Sequence, residues 1–116
     1  MATTTSEAHR CRPDIEEEVL SVEAGRDLAA TFQVLGDPTR VRIVHALSLS
    51  ELCTSELASV VGMSESAVSH QLRTLRQLRV VRSRREGKLV VYSLADDHIR
   101  SLFQQGLEHT FERERT

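Results

Sequence analysis

Apolar residues recur at helical spacing along most of this chain, and the breaks in that rhythm mark out its elements. Residues 1–13 carry no apolar periodicity and are expected to form a flexible arm, with a single domain over 14–116. A helical pattern begins near Asp14 and sets Ile15, Val19, Leu20 and Val22 on one side. A second stretch runs through Leu28, Ala29, Phe32 and Leu35 and stops at Gly36. Asp37-Pro38 restarts the helix. The aspartate can accept from free backbone N–H groups, and proline at the first helical position forfeits an N–H that had no partner. Val41, Ile43, Val44 and Leu47 follow, and His45 within this apolar helix reads as structural.

Leu52 to Gly62 predicts a short helix with Leu57, Ala58 and Val61 as its apolar side. Gly62-Met63 turns the chain, and Ser64 is placed to cap the next helix. There Val68, Leu72, Leu75 and Leu78 are spaced by four, three and three, which makes one buried stripe. Two β-like runs, Val80 to Ser83 and Leu89 to Leu94, flank a hairpin turn at Glu86-Gly87-Lys88. A last helix runs from about Asp96 to about Glu112. The expected class is mainly α with a small β-hairpin (α+β).

A short helix, a turn containing Gly and a longer helix form a helix-turn-helix unit. Its second helix would enter the major groove of DNA by its N-terminal end. Behind Ser64, that helix presents Ser66, Ser69, His70, Gln71 and Arg73 opposite the apolar stripe. Such short, amide-bearing or cationic side chains suit base edges and phosphates. The hairpin carries Arg82, Arg84, Arg85 and Lys88, as a wing lying against the DNA backbone would. The plainer reading is a small α+β domain with a charged hairpin.

Charge bears on both readings. The 116 residues have a formal net charge of −2, which by itself argues against nucleic acid. Its distribution reverses that argument. Residues 64–94 hold Arg73, Arg76, Arg79, Arg82, Arg84, Arg85 and Lys88 against only Glu65 and Glu86, a net of +5, whereas residues 1–37 carry −5. A basic block in an acidic protein is an electrostatic footprint for phosphates.

Composition adds bounds. The length suits one compact core, and with Tyr92, Phe32, Phe103 and Phe111 as the only aromatics, aliphatic side chains must fill it. A chain this short buries only part of its apolar surface, and dimerisation would bury more. No apolar run approaches the roughly 20 residues of a membrane helix. The first residues have no secretory apolar region, and two cysteines are too few for a disulfide scaffold. A cytoplasmic protein is expected, with no membrane and no small organic substrate among its partners.

The last helix holds Asp96, His98, His109 and Glu112. The two histidines are eleven residues apart, close to three full turns, so they share a face yet stand ~16 Å apart along the axis. One metal cannot take both from one helix. Two copies of the helix packed antiparallel would bring residue 98 of one chain against residue 109 of the other. The twofold axis would fall near residues 103 and 104, among Leu102, Phe103, Gly106 and Leu107. Each of two symmetric sites would then hold two imidazoles and two carboxylates, a set that suits Zn(II) and that cobalt could also occupy. A second cluster is drawn from Cys53, Glu56, Cys11 and His9, softer and better suited to zinc, cadmium or lead. Its rival reading makes Cys53 a small buried residue and Cys11 a free thiol.

These residues resemble the ArsR/SmtB family of metal-sensing repressors. The stretches that carry the resemblance are Phe32 to Arg40 (FQVLGDPTR), Glu51-Leu52-Cys53, Ser64 to Arg73 (SESAVSHQLR), and the spacing Asp96-x-His98-x10-His109-x2-Glu112. It covers residues ~14–116 and is nearest to SmtB-like zinc sensors. It implies a winged helix-turn-helix homodimer formed by the first and last helices. It also implies regulatory metal on the last helix, and release from operator DNA on metal binding that derepresses metal efflux or sequestration genes. The chain departs from the family where relatives have Cys-x-Cys, since residue 55 is Ser, and His9 precedes Cys11 rather than following it. Both departures weaken the thiolate site alone. A repressor of the same fold sensing cadmium, lead, cobalt or nickel, or thiol oxidation at Cys11 and Cys53, is the alternative. A zinc hydrolase is disfavoured: no nucleophile–base pair accompanies the ligands, and four protein ligands leave no open position. The chain is therefore expected not to be an enzyme.

Overall fold

A computed structural model describes residues 13–112. A 3-10 turn, Pro13–Glu17, leads into α1 (Val22–Val34), α2 (Pro38–Leu49), β1 (Leu52–Cys53), α3 (Thr54–Val61), α4 (Glu65–Gln77), β2 (Val81–Glu86), β3 (Leu89–Leu94) and α5 (Asp97–Phe111). The strands form one antiparallel sheet in the order β1-β3-β2. This is the expected winged helix-turn-helix: α3 and α4 form the reading unit, and β2 and β3 form the wing.

The helix starts follow local chemistry. Ser21 accepts from the Ala24 N–H at 3.1 Å, Asp37 from Arg40 at 3.1 Å and Ser64 from Ala67 at 3.1 Å. Each side chain satisfies one of the backbone donors left unpaired in a first turn. The helix expected from Asp14 is therefore corrected. Pro13–Glu17 form a 3-10 turn and the Ser21 cap starts α1 at Val22, leaving Ile15, Val19 and Leu20 exposed before it.

The helix expected from Leu52 is also corrected. Leu52 and Cys53 are extended and pair with Tyr92 and Val91 of β3, so α3 begins at Thr54. It ends at Gly62, whose φ of +73° is a left-handed conformation that glycine adopts without a Cβ clash. The hairpin strand β2 reaches Glu86 rather than Ser83, because Gly87 (φ +62°) makes a two-residue turn that lets pairing run to its end.

The core joins Ile43, Val44 and Leu47 of α2, Leu57 of α3, Val68, Leu72 and Leu75 of α4, Val80, Leu94 of β3 and Phe103 of α5. The expected stripe on α4 is buried at Val68, Leu72 and Leu75, with Leu78 half-buried at the helix end. The outer face of α1 stays uncovered, with only Val34 buried. Phe32 and Leu35 of that segment line an apolar groove with Leu102, Gly106 and Phe111 of α5. Phe103, expected at a dimer axis, belongs to the chain's own core and also lines this groove. His45 is exposed, with its ring 5.8 Å from that of Phe103.

Candidate DNA interface and metal-ligand helix

The first turns of α4 present Ser66, Ser69, His70 and Arg73 to solvent, because Val68, Leu72 and Leu75 hold the opposite side in the core. Ser64 is also exposed, and its hydroxyl is engaged as the helix cap. Gln71 sits apart from these. It is half-buried, and its Oε1 accepts from Arg40 Nε of α2 at 2.8 Å. A guanidinium has no acceptor, so the carbonyl must face it and only the amide NH2 remains available outward.

The wing divides its cations by the pleat of the strands. Arg82 lies opposite Ser93 and Arg84 opposite Val91, whereas Arg85 lies opposite Val90 in the alternating set that includes Tyr92. Arg84 is held by Glu51 at 2.8 Å and by Glu86 at 2.7 Å. Hydrogen bonds to Glu86, then Glu51, raise its pKa above the ordinary arginine value. Arg82 Nε reaches Ser93 Oγ at 3.5 Å. Among the described residues Arg85 and Lys88 have no ion pair, so their charge is uncompensated. Periodicity could not reveal Arg40 and Glu51 as partners, since each contact spans more than thirty positions.

On α5, Asp96 is the cap: its Oδ1 accepts from the Ile99 N–H at 2.9 Å. His98 stands beside it, with Nδ1 3.8 Å from the same oxygen and a side chain 97% exposed. His109 and Glu112 are exposed at the far end. Among the described residues of one chain, no three His, Cys, Asp or Glu side chains stand close enough to hold a metal. Asp96 and His98 form one close pair, and the helix length separates them from His109 and Glu112. Leu102 and Gly106 lie between the two ends, on the groove beside α1.

Residues 37–83, which span α2 to the start of the wing, match the family model described as "Bacterial regulatory protein, arsR family". Over 95 residues the chain is 45% identical to a transcriptional repressor SmtB homolog from Synechocystis, covering 82% of this chain and 72% of that protein. This chain belongs to the ArsR/SmtB family of metal-sensing transcriptional repressors. Its fold matches the antimony-specific repressor AntR at 34% identity, over 99% of this chain and 100% of the other, with a TM-score of 0.72. It also matches a homodimeric winged helix-turn-helix DNA-binding domain from Mycobacterium bovis at 24% identity, over 78% and 87% of the two chains, with a TM-score of 0.71. Repressors of the ArsR/SmtB family bind operator DNA, and the exposed faces of α4 and the wing are the basic surface suited to it. Among the described residues, no helix is long and apolar enough to cross a membrane.

In this ArsR/SmtB chain the cysteine cluster is only partly in view. His9 and Cys11 lie outside the described residues. Cys53 is buried to 7% exposure, and its sulfur lies 3.3 Å from Ser55 Oγ. Its backbone N–H donates to Glu56 Oε1 at 2.9 Å. That bond, followed by the Cys53 side chain, holds the Glu56 carboxyl below its ordinary pKa. Both residues thus serve the start of α3.

Proposed function

We propose that this repressor is a homodimer that leaves its operator when Zn(II) binds at two sites, each taking Asp96 and His98 from one chain and His109 and Glu112 from the other. The observation that carries this reading is the layout of α5. His98 and His109 stand towards opposite ends of α5, at helical spacings that set them on the same side as Leu102 and Gly106, which line the apolar groove. Gly106 has open space where a Cβ would stand, which permits a second helix to come close.

The donor set fits a borderline cation. Two imidazoles and two carboxylates suit zinc better than the thiolate-preferring ions, and Cys53 is buried. Asp96 can serve both roles, because the cap uses Oδ1 and leaves its second oxygen unused. Bound zinc would supply a tether between the two last helices. The protein then does the rest: α5 packs on α2 and β3, so fixing one α5 against the other biases how the two α4 helices are held apart. Reading helices must meet half-sites about 34 Å apart, so a dimer held at another spacing loses operator affinity. The derepressed genes would be those that export or sequester the metal.

Titrating zinc into the protein–operator complex tests the reading. Wild type is expected to dissociate, and His109→Ala to stay bound with unchanged affinity for DNA. Wild type that remains on its operator at saturating zinc, or release by antimony or cadmium alone, would overturn the assignment of the metal.

A further inference from the structure

A polar cleft of about 490 Å³ runs between α4 and the sheet, lined by Ser69, Arg73, Arg76, Gln77 and Tyr92. Every one of these side chains can donate a hydrogen bond, and none is a carboxylate. Arg73 and Arg76 are exposed and have no ion pair among the described residues, in contrast to Arg84, which is bound by two glutamates. The cleft therefore concentrates two uncompensated guanidinium groups beside a phenol that β3 holds half-buried, opposite Leu52 and Ser83.

We propose that this cleft seats a phosphodiester of the operator backbone, with Arg73 and Arg76 as its charge partners and Tyr92 Oη as a fixed donor. The inference rests on the reading of α4 as the DNA-facing helix and adds Arg76, Gln77 and Tyr92 to it. Two donor-only guanidinium groups with no carboxylate beside them favour an anion, and their forked geometry matches phosphate oxygens. DNA is favoured over a free anion because Ser69 and Arg73 belong to both the cleft and the exposed reading face, so a strand lying along α4 passes its mouth. Tyr92 comes from the sheet, so the contact would also fix the angle between wing and reading helix on the duplex. A backbone contact carries no sequence information, so it should strengthen binding to all duplexes alike.

The test compares Arg76→Ala, Tyr92→Phe and Arg85→Ala with wild type across a salt series, on operator and on unrelated duplex. Arg76→Ala is expected to weaken both about ten-fold at low salt and to reduce the salt slope by about one. Tyr92→Phe keeps the ring in place and is expected to weaken both duplexes by a smaller factor, with an unchanged melting temperature. Arg85→Ala lies on the wing outside the cleft and reports on the interface as a whole. If Arg85→Ala weakens binding and neither cleft variant does, the cleft is overturned while the DNA-binding face stands. If wild type binds no duplex, both fall. Inorganic phosphate at constant ionic strength provides the last arm. Phosphate that binds the cleft through Arg76 while operator affinity stays the same, in wild type and in Arg76→Ala, would make this a free-anion site and overturn the backbone assignment.

Discussion

Arg40 on the first turn of α2 donates from Nε to Oε1 of Gln71 in the middle of α4, at 2.8 Å. The bond ties the reading helix to the helix that also packs on α3 and α5. It fixes the Gln71 amide with its carbonyl inward. Gln71→Ala is therefore expected to cost about 1–2 kcal/mol of stability. A double-mutant cycle with Arg40→Ala should show a coupling of about 0.5–1.5 kcal/mol by chemical denaturation. Additive stabilities, together with a changed base preference in Gln71→Ala, would instead make Gln71 a base reader.

Within the wing, Arg84 and Arg85 should behave differently despite adjacent positions. Arg84→Ala removes two exposed ion pairs, and such pairs contribute little to stability. Its effect on DNA affinity is expected to be small, because Glu51 and Glu86 already offset its charge. Arg85→Ala should lower affinity for every sequence and reduce the salt dependence by about one ion. Filter binding at several salt concentrations distinguishes the two, and equal losses would contradict the division.

The dual position of Asp96 gives a graded test. Asp96→Asn keeps an acceptor for the Ile99 N–H but removes the negative ligand. It should preserve the melting temperature and lower zinc affinity. Asp96→Ala loses the cap as well and should cost about 1 kcal/mol of stability in addition. Zinc binding unaffected by Asp96→Asn would remove this carboxylate from the site.

Sharing of the sites between chains can be read by mixing subunits. A heterodimer of one His98→Ala chain and one His109→Ala chain places both lesions in one site and leaves the other with all four ligands. One tight zinc per heterodimer is expected by isothermal titration. Loss of both sites would place each site within a single chain.

Glu56 predicts a pH dependence. Its carboxyl is held below the ordinary glutamate value of 4.5 by the Cys53 N–H, so the bond stabilises the fold above that value. The contribution is lost as pH falls from about 4.5 through the lowered pKa of the folded state. Wild type should thus exceed Glu56→Gln in stability at neutral pH, and the two should converge in acid. A constant difference from pH 7 to pH 3 would contradict the cap.

What could be read from the sequence was what is local. Asp37-Pro38, Gly62 and Ser64 act on their nearest neighbours, so the starts of α2 and α4 and the turn before α4 were legible. The proposed ligands Asp96, His98, His109 and Glu112 rest on spacing along and at the ends of one helix, which is local as well. Strand β1 was not legible, because two residues have no period and are extended only through Tyr92 and Val91, about forty positions later. The engagement of Gln71 and Arg84 escaped for the same reason: helical or strand periodicity tells which way a side chain faces, not which distant partner meets it. Arg76 and Tyr92 were hidden differently, since neither stands out until the sheet is laid against α4.

The uncovered faces of α1 and α5 have a consequence for how much of this repressor a cell must hold. Phe32, Leu102 and Phe111 are exposed in a single chain, so pairing is governed by mass action and the paired state is favoured only as protein accumulates. A lone chain could reach one half-site. Operator occupancy should therefore rise more steeply than in proportion to the number of molecules, and dilution at cell division would loosen repression even where the amount of metal stays constant.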